Sequence, residues 1–235
     1  MPINDTLAKN VRIHNIKSKN LLRQILEETL VMVHLVTTTP TKVKLLVPKS
    51  PDVVIFTDAS IEGIGGVIYY MRNEHSPLVF RIPFPEEISK SIKNTMQGMK
   101  EISISDAEAL GLVAGLLVAI VFLNLSEKSI ALFCDNTPTV GWVRRLASRS
   151  KRAARLMRIL AILIKIANIT PLITLSIEGS LNDEANYTTR YMCKDGKLLS
   201  NTDFLTNFNY KFSIKQGYDL ARLSPKLTSK LIHEL

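Results

Sequence analysis

The chain is nearly without cysteine. Cys134 and Cys193 are the only two in 235 residues, which excludes a disulfide framework or a Cys-built zinc site as its organising feature and fits a reducing compartment. No apolar core follows the early charges, so the N-terminus lacks a signal-peptide pattern. The expected location is intracellular, cytoplasmic or nuclear, and not secreted. Internal repeats and low-complexity tracts are missing too. Between Asn136 and Ile177 there are eight Lys or Arg residues and no acid, a density that attracts phosphates without reading sequence. Ala109 to Leu123, ALGLVAGLLVAIVFL, has no polar side chain. A bilayer span needs roughly 20 such residues, and Asn124, Glu127 and Lys128 close this run early. It reads as a helix buried on most of its sides, with no membrane partner. Its Gly111-x-x-x-Gly115 would let two helices approach closely.

What is present suits a folded protein. The apolar fraction is 46%, the charged fraction 22% and the formal net charge +9, and 26.3 kDa suits one ordinary domain with extensions. Residues 1–48 read as an N-terminal helical extension and connector. There LLRQILEETLVMVHLV (21–36) has helical periodicity, and TTTPTKVKLLVPKSPD (37–52) carries prolines and lysines. Residues 49–195 form the main domain. Strands are predicted at VVIFTD (53–58), GVIYYM (66–71) and PLVFRIPF (77–84), with SIEGIGG (60–66) as a hairpin turn. A polar stretch (85–104) leads into the apolar helix, capped by Ser105 or Asp106. After strand SIALFC (129–134) comes a long helical stretch interrupted at Ser148–Ser150. Trp142, Leu146, Leu156, Leu160 and Leu163 or Ile164 form its inward stripe. A fifth strand, LITLSI (172–177), and a short helix over about 182–191 follow. Residues 196–235 are a C-terminal extension ending in a helix. Strands joined through helices run parallel and hairpin strands antiparallel. The fold class is therefore α/β, a mixed five-stranded sheet with helices packed on it.

Carboxylates recur at the edges of these elements. Asp58 ends the first strand, Glu108 lies near the start of the buried helix, and Asp135 ends the fourth strand. Glu108 is expected in the first turn of that helix. Each has a plain structural reading: a turn residue, a helix N-terminal acid, a cap. Together, in this order of elements, they support a site. Hard cations such as Mg²⁺ take oxygen ligands, and two of them about 3.5–4 Å apart can activate a water and stabilise a leaving phosphodiester oxygen.

These residues resemble a known family. TDASIEGIGGVIYY is similar to the first motif of retroelement ribonuclease H domains, and SDAEALGLVAGLL to the helix that carries their second acid. FCDNTPTVGWVRRLASRS resembles the third motif, in the variety found in tyrosine-recombinase (DIRS-like) retrotransposons. GSLNDEANYTTR resembles the closing Gly-x-x-Asn-x-x-Ala-Asp…Arg motif. The connector and the tail also resemble the flanks in those elements, so the likeness runs from about residue 38 to the end. It implies an RNase H-like sheet and catalytic, metal-holding positions at Asp58, Glu108, Asp135 and Asn186. It also implies two Mg²⁺ or Mn²⁺ ions, and cleavage of the RNA strand of an RNA–DNA hybrid. The partners it implies are that hybrid and a reverse transcriptase domain of the same polyprotein.

One position departs from the pattern. Asn186 stands where the family has its fourth acid, which keeps an oxygen and removes a charge. Asp183 and Glu184 would project about 300° and 200° round a helix from it, and neither occupies the matching position. None of His14, His34, His75 and His233 lies between Asp135 and Asn186, so no histidine has a role. Two functions stay open: an active nuclease, and a catalytically decayed RNase H-like nucleic-acid-binding module. In both, Arg144, Arg145, Arg149, Lys151, Arg152, Arg155 and Arg158 are the expected phosphate-binding surface. No polymerase Asp-Asp motif or recombinase segment is visible, so the chain reads as a polyprotein fragment or a stand-alone remnant.

Overall fold

The computed structural model describes residues 19–38, 50–71, 75–98, 101–170, 172–194 and 197–235. His14 and most of the predicted connector (39–49) lie outside the described residues. The elements in chain order are α1 (Lys19–Thr38), β1 (Val53–Ala59), β2 (Gly63–Tyr70), β3 (Leu78–Pro83), α2 (Glu86–Met96), α3 (Ile104–Phe122), β4 (Ile130–Cys134) and α4 (Thr137–Arg145). They continue with α5 (Lys151–Ile166), β5 (Leu172–Ser176), α6 (Asp183–Arg190), β6 (Cys193–Lys194), β7 (Lys197–Leu198), α7 (Asn201–Lys211), β8 (Asp219–Leu220) and α8 (Pro225–Ile232).

Six strands form the main sheet in the order β5-β4-β1-β2-β3-β8. β1, β2 and β3 are antiparallel neighbours, while β4 and β5 run parallel to β1. This is the expected mixed sheet with one addition: the two-residue β8 from the tail pairs with β3. Its signal is too short for a periodicity to register. β6 and β7 form a separate small hairpin, also unforeseen.

Two layers cover the sheet. On one face α3 crosses β1 and β2, and α5 packs on α3. The burial includes Ile55, Ile64, Phe80, Leu110, Leu112, Leu116, Leu132 and Leu160. Among the described residues only α3 is long and apolar enough to cross a membrane, and its side chains from Asp106 to Leu116 are buried within the fold. The other face holds α6 and a second core of Val67, Val79, Phe204, Phe208 and Tyr218, built largely by the tail.

Several local readings change. Gly63 and Gly65 belong to β2 and not to the turn, so the strand starts three residues before Gly66. A Cβ on Gly65 would fall 2.1 Å from Thr188 Oγ1, so its glycine serves the close seating of α6. Gly111 and Gly115 likewise face β1 and not another helix. A Cβ on Gly115 would lie 2.9 Å from Ile55 Cγ2. The α3 N-cap is Ser103, in a reciprocal capping box with Asp106, so neither Ser105 nor Asp106 is the cap. The helical stretch is interrupted as expected at Ser148–Ser150, in a break that begins earlier, at Leu146. Leu146 takes a left-handed φ of 47° and is exposed, so it leaves the inward stripe. Val140, Val143, Ala153, Leu156, Met157 and Leu160 fill that role.

Candidate active site

Register brings the acids to one edge. β1 and β4 are parallel with Phe56 opposite Phe133, and those rings stack at 4.9 Å on the α6 face. Two residues on along each strand stand Asp58 and Asp135, side by side at the carboxyl ends. Glu108 reaches the same edge from the second turn of α3, where the glycine faces of that helix let it press against β1. Ligand atoms of Glu108, Cys134 and Asp135 all lie within 4.8 Å of one another. Asp135 acts electrostatically on Asp58, and both act on Glu108.

The charges are crowded and little neutralised. Burial pushes the Asp58 carboxyl up to about 6; Thr189 and Arg190 oppose that rise and Asp135 adds to it. Glu108, 3% exposed, is held well above the ordinary carboxylate range by burial first and then by Asp58 and Asp135. The Ala59 N–H and the Cys134 thiol, 3.5 Å from Glu108 Oε2, only partly relieve it. The thiol is itself pushed up by burial and by Glu108.

α6 closes the site. Thr189 Oγ1 donates to Asp58 Oδ2. Asn186 is buried, and its Nδ2 donates to Gly179 O at 2.8 Å. That bond turns its Oδ1 toward Arg190 Nη2, 3.5 Å away. Gly179 lies so near that a Cβ there would stand 3.2 Å from Asp135 Oδ2. The missing side chain leaves a cradle beside the acids. Buried, mutually repelling carboxylates facing such a space suit hard dications. Asp58, Glu108 and Asp135 fit as holders; Asn186 offers an oxygen already committed to a cation. Asp183 and Glu184 do not compensate for it. Asp183 pairs with Lys211 at 3.5 Å, and Glu184 accepts from Tyr218 at 2.6 Å and from Tyr69; burial first, and then Glu184, pushes both phenols above their usual range.

Cys134 and Thr189 were not foreseen at the site, and Arg190 was matched only as the closing Arg of the last motif, without a role. Cys134 shares the inward face of β4 with Ile130 and Leu132, a signal that strand alternation carries. Thr189 and Arg190 follow Asn186 by three and four positions, one helical turn on. Of the seven expected phosphate binders, three are tied into the fold. Arg144 Nε donates to Thr174 O at 3.0 Å, Arg152 to Leu235 O and Glu101 O, and Arg158 pairs with Glu28. Arg145, Arg149, Lys151 and Arg155 are exposed. Ser150 Oγ donates to Asp106 Oδ1 at 2.7 Å, fixing the start of α5 to the start of α3.

No family model matches the chain, and no curated protein does. Among solved structures it is similar to the N-terminal RNase H domain of a Mycobacterium tuberculosis protein solved as a fusion with maltose-binding protein, at 16% identity over 59% of this chain and 95% of that one, TM-score 0.42. It is also similar to RNase H1 from the halophilic archaeon Halobacterium salinarum, at 12% identity over 59% and 92%, TM-score 0.41. A third is LC11-RNase H1 isolated from compost, at 17% identity over 60% and 94%, TM-score 0.41. Likenesses of this degree leave function to be argued from the site.

Proposed function

We propose that the chain is a metal-dependent endonuclease that cuts the RNA strand of RNA–DNA hybrids, as part of or derived from a retroelement polyprotein. The supporting observation is the convergence of buried Asp58 and Glu108 with half-buried Asp135, short of countercharge, beside the space at Gly179. Mg²⁺ or Mn²⁺, two ions in the full arrangement, would supply an activated water and stabilise the leaving oxygen. Asp58, Glu108 and Asp135 would hold them, with Asn186 as a weak fourth ligand. Thr189 fixes one Asp58 oxygen and leaves the other for the site. Arg145, Arg149, Lys151 and Arg155 would hold substrate phosphates without reading sequence. A reverse transcriptase domain of the same polyprotein is the proposed protein partner, and an intracellular location follows from the substrate.

One observation favours the second reading, a decayed module that binds and does not cut. The Asn186 oxygen accepts from Arg190. The test is cleavage of an end-labelled hybrid with and without Mg²⁺ or Mn²⁺, beside Asp58→Asn. The nuclease reading expects metal-dependent RNA cleavage and a loss of about a hundred-fold or more in the variant. Hybrid binding with no cleavage at any metal concentration would establish the module instead.

A further inference from the structure

A second surface lies just past the catalytic end of α6. Thr189 touches Asp58, Arg190 faces Asn186, and the next residue, Tyr191, is 50% exposed. Its ring stacks on Tyr187 at 4.4 Å and 22°. Tyr187 is held in turn by edge contacts from Phe208 and Phe212 at 5.6 and 5.5 Å. One face of Tyr191 is thus backed by a fixed aromatic wall while the ring remains open to solvent. Among the described residues, Tyr191 is not one of those that build the second core.

A cation stands beside this ring. The Lys211 ammonium lies 5.0 Å from the Tyr187 centroid and 5.9 Å from that of Tyr191. The small β6–β7 hairpin sets Lys194 opposite Lys197 in register, within six residues of Tyr191. Arg190 adds a third described cation to Lys197 and Lys211; on the acid side, Asp183 pairs with Lys211 at 3.5 Å and the sequence places Asp195 between the two hairpin lysines. A rigid, open aromatic ring among cations matches an unpaired nucleotide. Its base can stack on the ring, and its phosphates meet the lysines. Bases inside a duplex are already stacked on each other and cannot use such a ring.

We propose that Tyr191, with Lys197 and Lys211, binds a single-stranded nucleic-acid segment continuing from a hybrid held at the acids. This rests on the nuclease or binding-module reading for the hybrid itself. It adds a preference for junctions between hybrid and single strand.

The test compares the full chain's affinity for a blunt hybrid and for the same hybrid with a short unpaired overhang on either strand, by anisotropy. Cleavage of both substrates is followed in parallel. The expected result is roughly ten-fold tighter binding of one overhang substrate. Tyr191→Ala should remove that preference and leave blunt-hybrid affinity unchanged, and Tyr191→Phe should keep it. Lys197→Gln should weaken overhang binding and lower its salt dependence. Equal affinity for blunt and overhang substrates, or a preference that survives Tyr191→Ala, overturns the proposal while a cleaved blunt hybrid leaves the nuclease reading standing. An overhang preference that depends on Tyr191 without cleavage supports the proposal and removes the nuclease reading. Absence of binding to any of these substrates overturns both.

Discussion

Asp58 and Asn186 carry the site's two opposed features, too much charge at one and too little at the other. The Asp58 carboxyl sits at about 6 against an ordinary 3.8. Between those values the folded chain keeps a proton that the unfolded chain has lost. Raising the pH through that window therefore drains stability, and the whole deficit is present above about 6. Asp58→Asn removes the charge and keeps an acceptor for Thr189. Metal-free thermal unfolding at pH 7 should rise by a few degrees, roughly what 1 kcal/mol gives at this size, and its pH dependence should flatten. The stabilisation of the wild type by Mg²⁺ should vanish with it. A metal-free variant that melts below wild type would sink this account. At Asn186 the opposite change applies. Asn186→Asp restores a charge, so cleavage should rise several-fold at limiting Mg²⁺ and converge with wild type at saturation. Part of the new charge will pair with Arg190. A metal titration of both versions decides it: wild type silent throughout, with no restoration in the variant, favours the binding module.

At the level of elements, α4 and α5 separate cations that look equivalent in sequence. Eight basic residues without an acid made a surface legible. Which of them are free was not, because their partners come from distant parts of the chain: Glu28, Glu101, Thr174 and Leu235. We therefore expect Arg145→Gln, Arg149→Gln and Lys151→Gln together to weaken hybrid binding. The slope of log affinity on log salt should fall by up to about 0.9 per lost phosphate contact, somewhat less on a hybrid than on B-DNA. Arg144→Gln, Arg152→Gln and Arg158→Gln together should change stability far more than that slope. Equal slopes for the two triple variants in filter binding would contradict the division. The same limit explains the other misreadings. Strand and helix periodicities placed all five long strands and the acids at their ends, because alternation is local. The glycines of β2 and α3 were read as a turn and a helix–helix contact. What they accommodate, Thr188 and Ile55, lies far away in sequence.

At the scale of the molecule, the tail that reads as an extension is half of the covering of the sheet. Phe204 and Phe208 are fully buried with Tyr218 against Val67 and Val79, and Ala221 and Leu231 join the core on the other face. β8 pairs with β3. Truncating one such phenylalanine to alanine costs about 3–5 kcal/mol, against a total of about 5–15 for a domain. α1 is attached far more lightly. Its contacts centre on buried Ile25 and the Glu28–Arg158 pair, while Leu26, Leu30, Val31, Met32 and Val33 stay exposed. The folding unit should therefore run from about Ser50 to the C-terminus. A chain starting at Ser50 should unfold in urea cooperatively, with a midpoint near that of the full chain. A chain ending at Ser200 should lack a cooperative transition, because β2 and β3 would present an uncovered apolar face to water. Phe208→Ala is the gentler version, and should lower the midpoint without changing the folded circular dichroism spectrum. If the chain ending at Ser200 unfolds as sharply and as late as the full protein, the tail is an appendage after all, and the Tyr191 platform that leans on Phe208 and Phe212 loses its support with it.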